Sequence, residues 1–277
     1  MRRFENIIIA TDLDGTFLGG GSRLIERNLE SIEYFKAHGG RFTVATGRTP
    51  YNAADALPGI AELINMPAVT INGCCLYDFK TESIIAGYTM PSEDVIEIGE
   101  YVKEYDKSFA IRAATLRGFV TDDRDNPYLK NDFNAKGRAE KRVLPLSEWR
   151  GETFYKLVVR GSEDALAEFR PILTEKLLGR FAVTKSWSTM LEIHDLSRSK
   201  AVALDEIADR VNDPDVKLCT AGDYDNDIEM LTASDVSVCP SNAVDKVKEI
   251  SKYCLCSNEE GVIADLIEGI DRGDILL

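Results

Sequence analysis

Apolar residues in this chain fall into short unbroken runs of strand length, alternating with stretches of helical period. The first run, Ile7-Ile8-Ile9-Ala10, gives way to Thr11-Asp12-Leu13-Asp14-Gly15-Thr16. An unbroken run closed by a turn signal reads as a strand buried on both faces. Three glycines, Gly19 to Gly21, lead to a helix in which Ile25, Leu29 and Ile32 share a face and Ser22 is the expected cap. Residues 41–45 form a second expected strand, closed by Thr46-Gly47-Arg48, and Thr49-Pro50 opens another helix. A third strand over 68–71 ends at Asn72-Gly73. The same rhythm returns with a helix over 199–211, strands over 216–221, 235–238 and 253–256, and a last helix from Glu259. Such alternation predicts a doubly wound parallel sheet.

The block between follows a different pattern. Pro91-Ser92-Glu93-Asp94 opens a helix with Val95, Ile98, Val102 and Tyr105 in one stripe, and a capped helix is expected over 162–178. Strands are expected over 109–113, 118–121, 154–159 and 180–187, while 122–142 carries no pattern that assigns it. The fold expected is therefore α/β: a Rossmann-like doubly wound parallel sheet core of residues 1–82 plus 189–277, with an α+β domain inserted at 83–188.

Charge narrows the partners. With 33 Lys and Arg against 47 Asp and Glu, the net charge of -14 excludes a nucleic-acid backbone, which needs clustered cations. Arg2 and Arg3 precede the first apolar run, but that run is too short for a signal-peptide core or a membrane span. The six cysteines, Cys74, Cys75, Cys219, Cys239, Cys254 and Cys256, lack paired metal spacing and read as reduced thiols of a cytoplasmic protein.

Candidate chemistry gathers at the strand ends. Asp12 and Asp14, two residues apart, can converge if the backbone there is extended, and a hard cation would relieve their repulsion. The alternative is a solvated Asp-Gly turn. Thr46 closes the second strand, and Gly222-Asp223-Tyr224-Asp225-Asn226-Asp227 closes a later one. In a parallel sheet these ends share one edge, where ligands bind. Asp223 with Asp12 would supply oxygen ligands to Mg²⁺, and Lys200, at a helix start, supplies a positive charge. His38 and His194 are isolated and read as structural or surface residues, and Asp225 as solvated.

With these residues in view, the chain resembles a haloacid dehalogenase superfamily phosphatase of the Cof type, which carries a large cap. Asp12-Leu13-Asp14-Gly15-Thr16 matches the first family motif, Thr46 the second, Lys200 the third, and Gly222-Asp223 through Asn226-Asp227 the fourth. Asn72-Gly73 and the stretch 258–261 are also similar to the subfamily. The resemblance implies that Asp12 is the nucleophile, forming an aspartyl-phosphate, and that Asp14 protonates the leaving alcohol and then activates water. It implies that Thr46, with Gly47, and Lys200 hold the phosphoryl group and that Asn226 contacts it. Mg²⁺ would be held by Asp12, Asp223 and the backbone carbonyl of Asp14, with Asp227 either joining through water or orienting Lys200.

The activity expected is Mg²⁺-dependent hydrolysis of a small phosphorylated metabolite, a sugar phosphate or nucleotide. No nucleic acid or membrane partner is expected, and the chain is expected to be a monomer or small homo-oligomer. A phosphotransferase or mutase on hexose phosphates is the rival enzyme. A phosphate sensor is the non-catalytic rival, disfavoured because a long-lived acyl phosphate needs no Asp14.

Overall fold

The computed structural model describes residues 3–277; Met1 and Arg2 of the basic start lie outside them. The chain divides into two compact units, one of Met1–Gly47, Ala56–Ala86 and Ser199–Leu277, the other of Arg48–Asp55 and Gly87–Arg198.

The first unit is built on a five-stranded sheet in the order Tyr253–Leu255, Val236–Pro240, Lys217–Ala221, Ile7–Thr11, Arg41–Val44. Every pairing in it is parallel, as the unbroken apolar runs require. Ile7–Thr11 is buried at all five positions. Ile8 and Ala10 pack with Ala203, Leu204 and Ile207 of the helix Lys200–Asp209 and with Met230 and Leu231 of the helix Ile228–Ala233. On the far side, the helix Glu26–Ala37 meets Val262–Arg272, where buried Asn28 accepts the Ala264 amide at 3.0 Å. The chain order turns back between Ile7–Thr11 and Lys217–Ala221, so their carboxyl ends flank the switch point of the sheet.

Three local expectations are corrected. Ser22 does not cap the first helix: it sits at φ 61°, and the cap position is Ile25. The third strand stops at Thr70, because Ile71–Gly73 turns as a 3₁₀ segment with Asn72 at φ 55°. Among the described residues that strand joins the main sheet through the Ala45–Val69 bridge, and it pairs antiparallel with Cys75–Asp78 in a separate three-stranded sheet.

The second unit carries a six-stranded sheet in the order Phe181–Trp187, Met190–Asp195, Lys156–Arg160, Ala110–Ala114, Gly118–Thr121, Glu140–Val143. Only the last pairing is parallel. Glu140–Val143 and the short helix Lys130–Asn134 fall in the stretch where sequence pattern assigned nothing. One face is apolar: Ile111, Ala113, Leu157, Val159, Leu191 and Ile193 pack under the helices Ser92–Tyr105 and Glu163–Lys176. The other face alternates out of phase and carries charged side chains around Val158. There Lys156 pairs with Glu192, both buried, and Arg112 and Arg160 share the carboxylate of Asp132 at 3.2 and 2.5 Å.

Among the described residues, no helix is long and apolar enough to cross a membrane, and all six cysteines are free.

Candidate active site

Asp12 follows the central strand directly, and its amide donates to Ala221 O at 2.9 Å, which ties the ends of the two middle strands together. The residue is 6 % exposed. Lys200, 1 % exposed, reaches it from the first position of its helix, where Ser199 Oγ accepts the Val202 amide as the cap. Lys200 Nζ donates to Asp12 Oδ1 and to Asp227 Oδ1, both at 2.6 Å. The Asn72-Gly73 turn seats that helix start: Gly73 lies at φ 92°, and a Cβ there would come closer than 3.0 Å to the Ser199 carbonyl.

Asp227 closes the opposite wall. Its Oδ2 accepts the amides of Asp223 at 3.0 Å and Tyr224 at 3.2 Å, which folds the Gly222–Asp227 turn onto one buried carboxylate. Thr16, from the loop after the central strand, donates to Asp223 Oδ1 at 2.6 Å. Gly15, at φ 84°, passes so close that a Cβ would fall within 3.0 Å of the Asp223 carboxylate. Only glycine fits this left-handed, crowded position.

One oxygen from each of Asp12, Asp223 and Asp227 lies within 4.8 Å of the others, and all three residues are buried. Burial pushes the Asp12 carboxyl well above its usual range, with Asp227, Asp223 and Asp14 adding to the rise and Lys200 opposing it. Asp223 is pushed up to about 7, by burial first and then by Asp227, against the Thr16 hydrogen bond and Lys200. Burial by itself would lower the Lys200 ammonium, but Asp12 and Asp227 more than offset it and hold it above its ordinary value. Three hard oxygen donors with an unmet demand for positive charge fit a small divalent cation such as Mg²⁺.

Thr46 is buried after the second strand, its amide donating to Val69 O at 2.9 Å and its carbonyl accepting from Asn72 at 3.0 Å, and Gly47 follows it. Asn226 is half-buried within the 3₁₀ turn Asp225–Asp227. Asp14 is exposed and its side chain stands outside the three-carboxylate cluster. The strand ends at Thr11 and Leu13 lies in a turn, yet the Asp14 charge acts on both Asp12 and Asp223. Arg48 donates to Asn52 O at 3.4 Å, within its own helix start. His38 rests on Tyr34 O at 2.8 Å and His194 on Asp195 O at 3.1 Å. Thr16 went unnoticed as a site residue although it lies inside the first motif, where a hydroxyl two residues after Asp14 was the available signal.

Residues 9–267 match the family of haloacid dehalogenase-like hydrolases. The chain is 27% identical to the 5-amino-6-(5-phospho-D-ribitylamino)uracil phosphatase YitU of Bacillus subtilis over 268 residues, covering 94% of this chain and 96% of that one. It is 25% identical to YwtE, a phosphatase of the same name from that organism, over 96% of this chain and 98% of that one. In fold it is similar to SMU.1108c of Streptococcus mutans, with a TM-score of 0.84 at 24% identity, covering 96% and 98% of the two chains. A haloacid dehalogenase-like hydrolase from Bacteroides thetaiotaomicron gives 0.80 at 22%, over 95% and 98%. The chain thus belongs to the haloacid dehalogenase-like hydrolase family, as a phosphatase of its Cof type.

Proposed function

We propose that the protein is a cytoplasmic, Mg²⁺-dependent phosphomonoesterase acting on a small phosphorylated metabolite of the sugar-phosphate or nucleotide class. The observation that carries this reading is the Lys200 ammonium set between Asp12 and Asp227, beside Asp223, at the carboxyl ends of adjacent parallel strands. Six free cysteines fit a reducing compartment.

In this mechanism an Asp12 oxygen attacks phosphorus while the ester P–O bond breaks, and Asp14 gives its proton to the departing alkoxide. Asp14, now a carboxylate, takes a proton from water. The resulting hydroxide attacks the aspartyl-phosphate, releases inorganic phosphate and returns Asp12 to its carboxylate. Lys200, Thr46, Gly47 and Asn226 hold the phosphoryl oxygens, and burial strengthens the Lys200 charge. Bound Mg²⁺ would supply the positive charge that lets a carboxylate approach a phosphate dianion. Asp12, Asp223 and Asp227, with the Asp14 carbonyl, would hold it.

The inserted domain, 83–188 as the sequence divides it, would select the substrate. Its polar sheet face, with Arg112, Lys156, Arg160 and Glu192, supports that role, because buried ion pairs add little stability over apolar packing. The names of the two Bacillus subtilis relatives make a phosphorylated ribitylaminouracil the first compound to try.

The test is a screen of phosphorylated metabolites with phosphate detection, run on monomer and any oligomer fraction. Phosphate release from a sugar or nucleotide monoester is expected. Isomerisation of a hexose phosphate that needs a bisphosphate activator, without release, would overturn it.

A further inference from the structure

Three loops leave the carboxyl edge of the parallel sheet near the carboxylates: those after Ile7–Thr11, Val236–Pro240 and Tyr253–Leu255. Two asparagines outside the four motifs join them. Asn242 Nδ2 donates to Gly15 O at 2.8 Å, and Asn242 Oδ1 accepts the Asn258 amide at 3.0 Å. Asn258 Nδ2 in turn donates to Leu18 O at 2.8 Å.

A carboxamide is suited to this link, since it donates from one end and accepts at the other. Asn242 is exposed and Asn258 half-buried, so water would readily replace these bonds and they add little to stability. What they fix is the path of the loop. Gly15 has no Cβ and sits at φ 84°, a residue with wide rotational freedom. Asp223 blocks it on one side, Thr16 is fastened to the same carboxylate, and Asn242 holds its carbonyl. Asp14 is the residue immediately before it. A rotation at Gly15 would move both the carbonyl and the carboxylate of Asp14.

We infer that Asn242, braced by Asn258, is a positioning residue that fixes Gly15 and thereby sets Asp14 relative to Asp12 and Asp223. The inference rests on the Mg²⁺-dependent phosphatase reading above. Its test compares N242D and N242A with the wild type. N242D keeps an acceptor for the Asn258 amide but sets a carboxylate oxygen against the Gly15 carbonyl; N242A removes both bonds.

Outer partners of metal ligands typically change affinity or activity about 10–100-fold. Titration with Mg²⁺ alone in a calorimeter should show N242D binding roughly tenfold more weakly or worse, with N242A between it and the wild type. Turnover of a phosphate ester should fall in the same order, with KM and melting temperature unmoved. Wild-type Mg²⁺ affinity and kcat in both variants would overturn the inference, as would a melting temperature that falls in step with activity. A wild-type protein that takes up no Mg²⁺ overturns the metal reading instead. The kcat of N242D then decides this inference by itself, a wild-type value defeating it.

Discussion

Asp227 and Lys200 meet at 2.6 Å with each side chain 1 % exposed. The pair is one arm of a bridge whose other arm is Asp12, so a single ammonium balances two carboxylates and faces a third. Lys200→Met would leave all three uncompensated. Loss of one electrostatic donor of this kind typically lowers kcat about 10²–10³-fold. Removing one partner of a buried pair costs about 3–5 kcal/mol. Urea unfolding should therefore show a destabilised variant, and added Mg²⁺ should recover part of the loss. Full kcat in Lys200→Met would remove it from the phosphate site.

Asp12→Asn should abolish turnover, since an amide is a poor nucleophile and a weak metal ligand. Asp14→Asn should lower it about 10²–10⁴-fold on alkyl esters. The loss should be smaller on p-nitrophenyl phosphate, whose phenolate leaves with little help. Single-turnover kinetics on both esters check this, and equal losses in the phosphorylation step would take the acid role from Asp14.

Exhaustive chelation should abolish activity, and Mg²⁺ should restore it. The three clustered carboxylates, with Asp12 and Asp223 held above their usual range by burial and by neighbouring carboxylates, motivate this. Activity that survives chelation would count against any role for a divalent ion.

Gly73→Ala should destabilise the first unit by about 1–3 kcal/mol, the usual cost of a strained backbone position. Its added methyl would meet the Ser199 carbonyl. The shift would pass to Lys200, next in the chain, so kcat should fall along with the urea midpoint. An unchanged midpoint would mean that the turn has room to yield.

Asp235 offers a pH test away from the site. Burial pushes its carboxyl up, but the Leu218 amide at 2.9 Å and Lys217 at 3.1 Å outweigh that and hold it below its usual value. A depressed carboxylate stabilises the fold fully above its unfolded value of about 3.9 and loses that contribution as pH falls through the folded one. Asp235→Asn should thus be less stable at neutral pH and show a shallower acid limb. A parallel acid limb would show that Asp235 carries none of this dependence.

What could be read from the chain divides along physical lines. Ile7 to Ala10 has to be buried on both faces, and this alone calls for a central parallel strand with helices on either side. Asp12, Asp223 and Asp227 were legible as neighbours because residues at the ends of parallel strands share an edge whatever their separation in sequence, whereas Lys200, at a helix start, was singled out by its motif. Ser22 misled because a capping residue type says nothing about φ, and here the backbone is left-handed. Glu140–Val143 stayed hidden because an exposed, charged edge strand has no apolar alternation; its hydrogen bonds to Gly118–Thr121 define it. Asn242 was invisible since its work is done on a glycine carbonyl across the sheet edge.

The pairing of Ile7 with Lys217 has a consequence for the chain on the ribosome. Translation at about 5–20 residues per second separates these two residues by roughly 10–40 s. Throughout that interval the Ile7–Thr11 strand has only Arg41–Val44 beside it, and its other hydrogen-bonding edge is open. The second unit is complete before Lys217 is made, with a core drawn wholly from its own residues. A nascent chain stalled between the two would expose an apolar strand edge, the kind of surface that recruits chaperones or seeds aggregation.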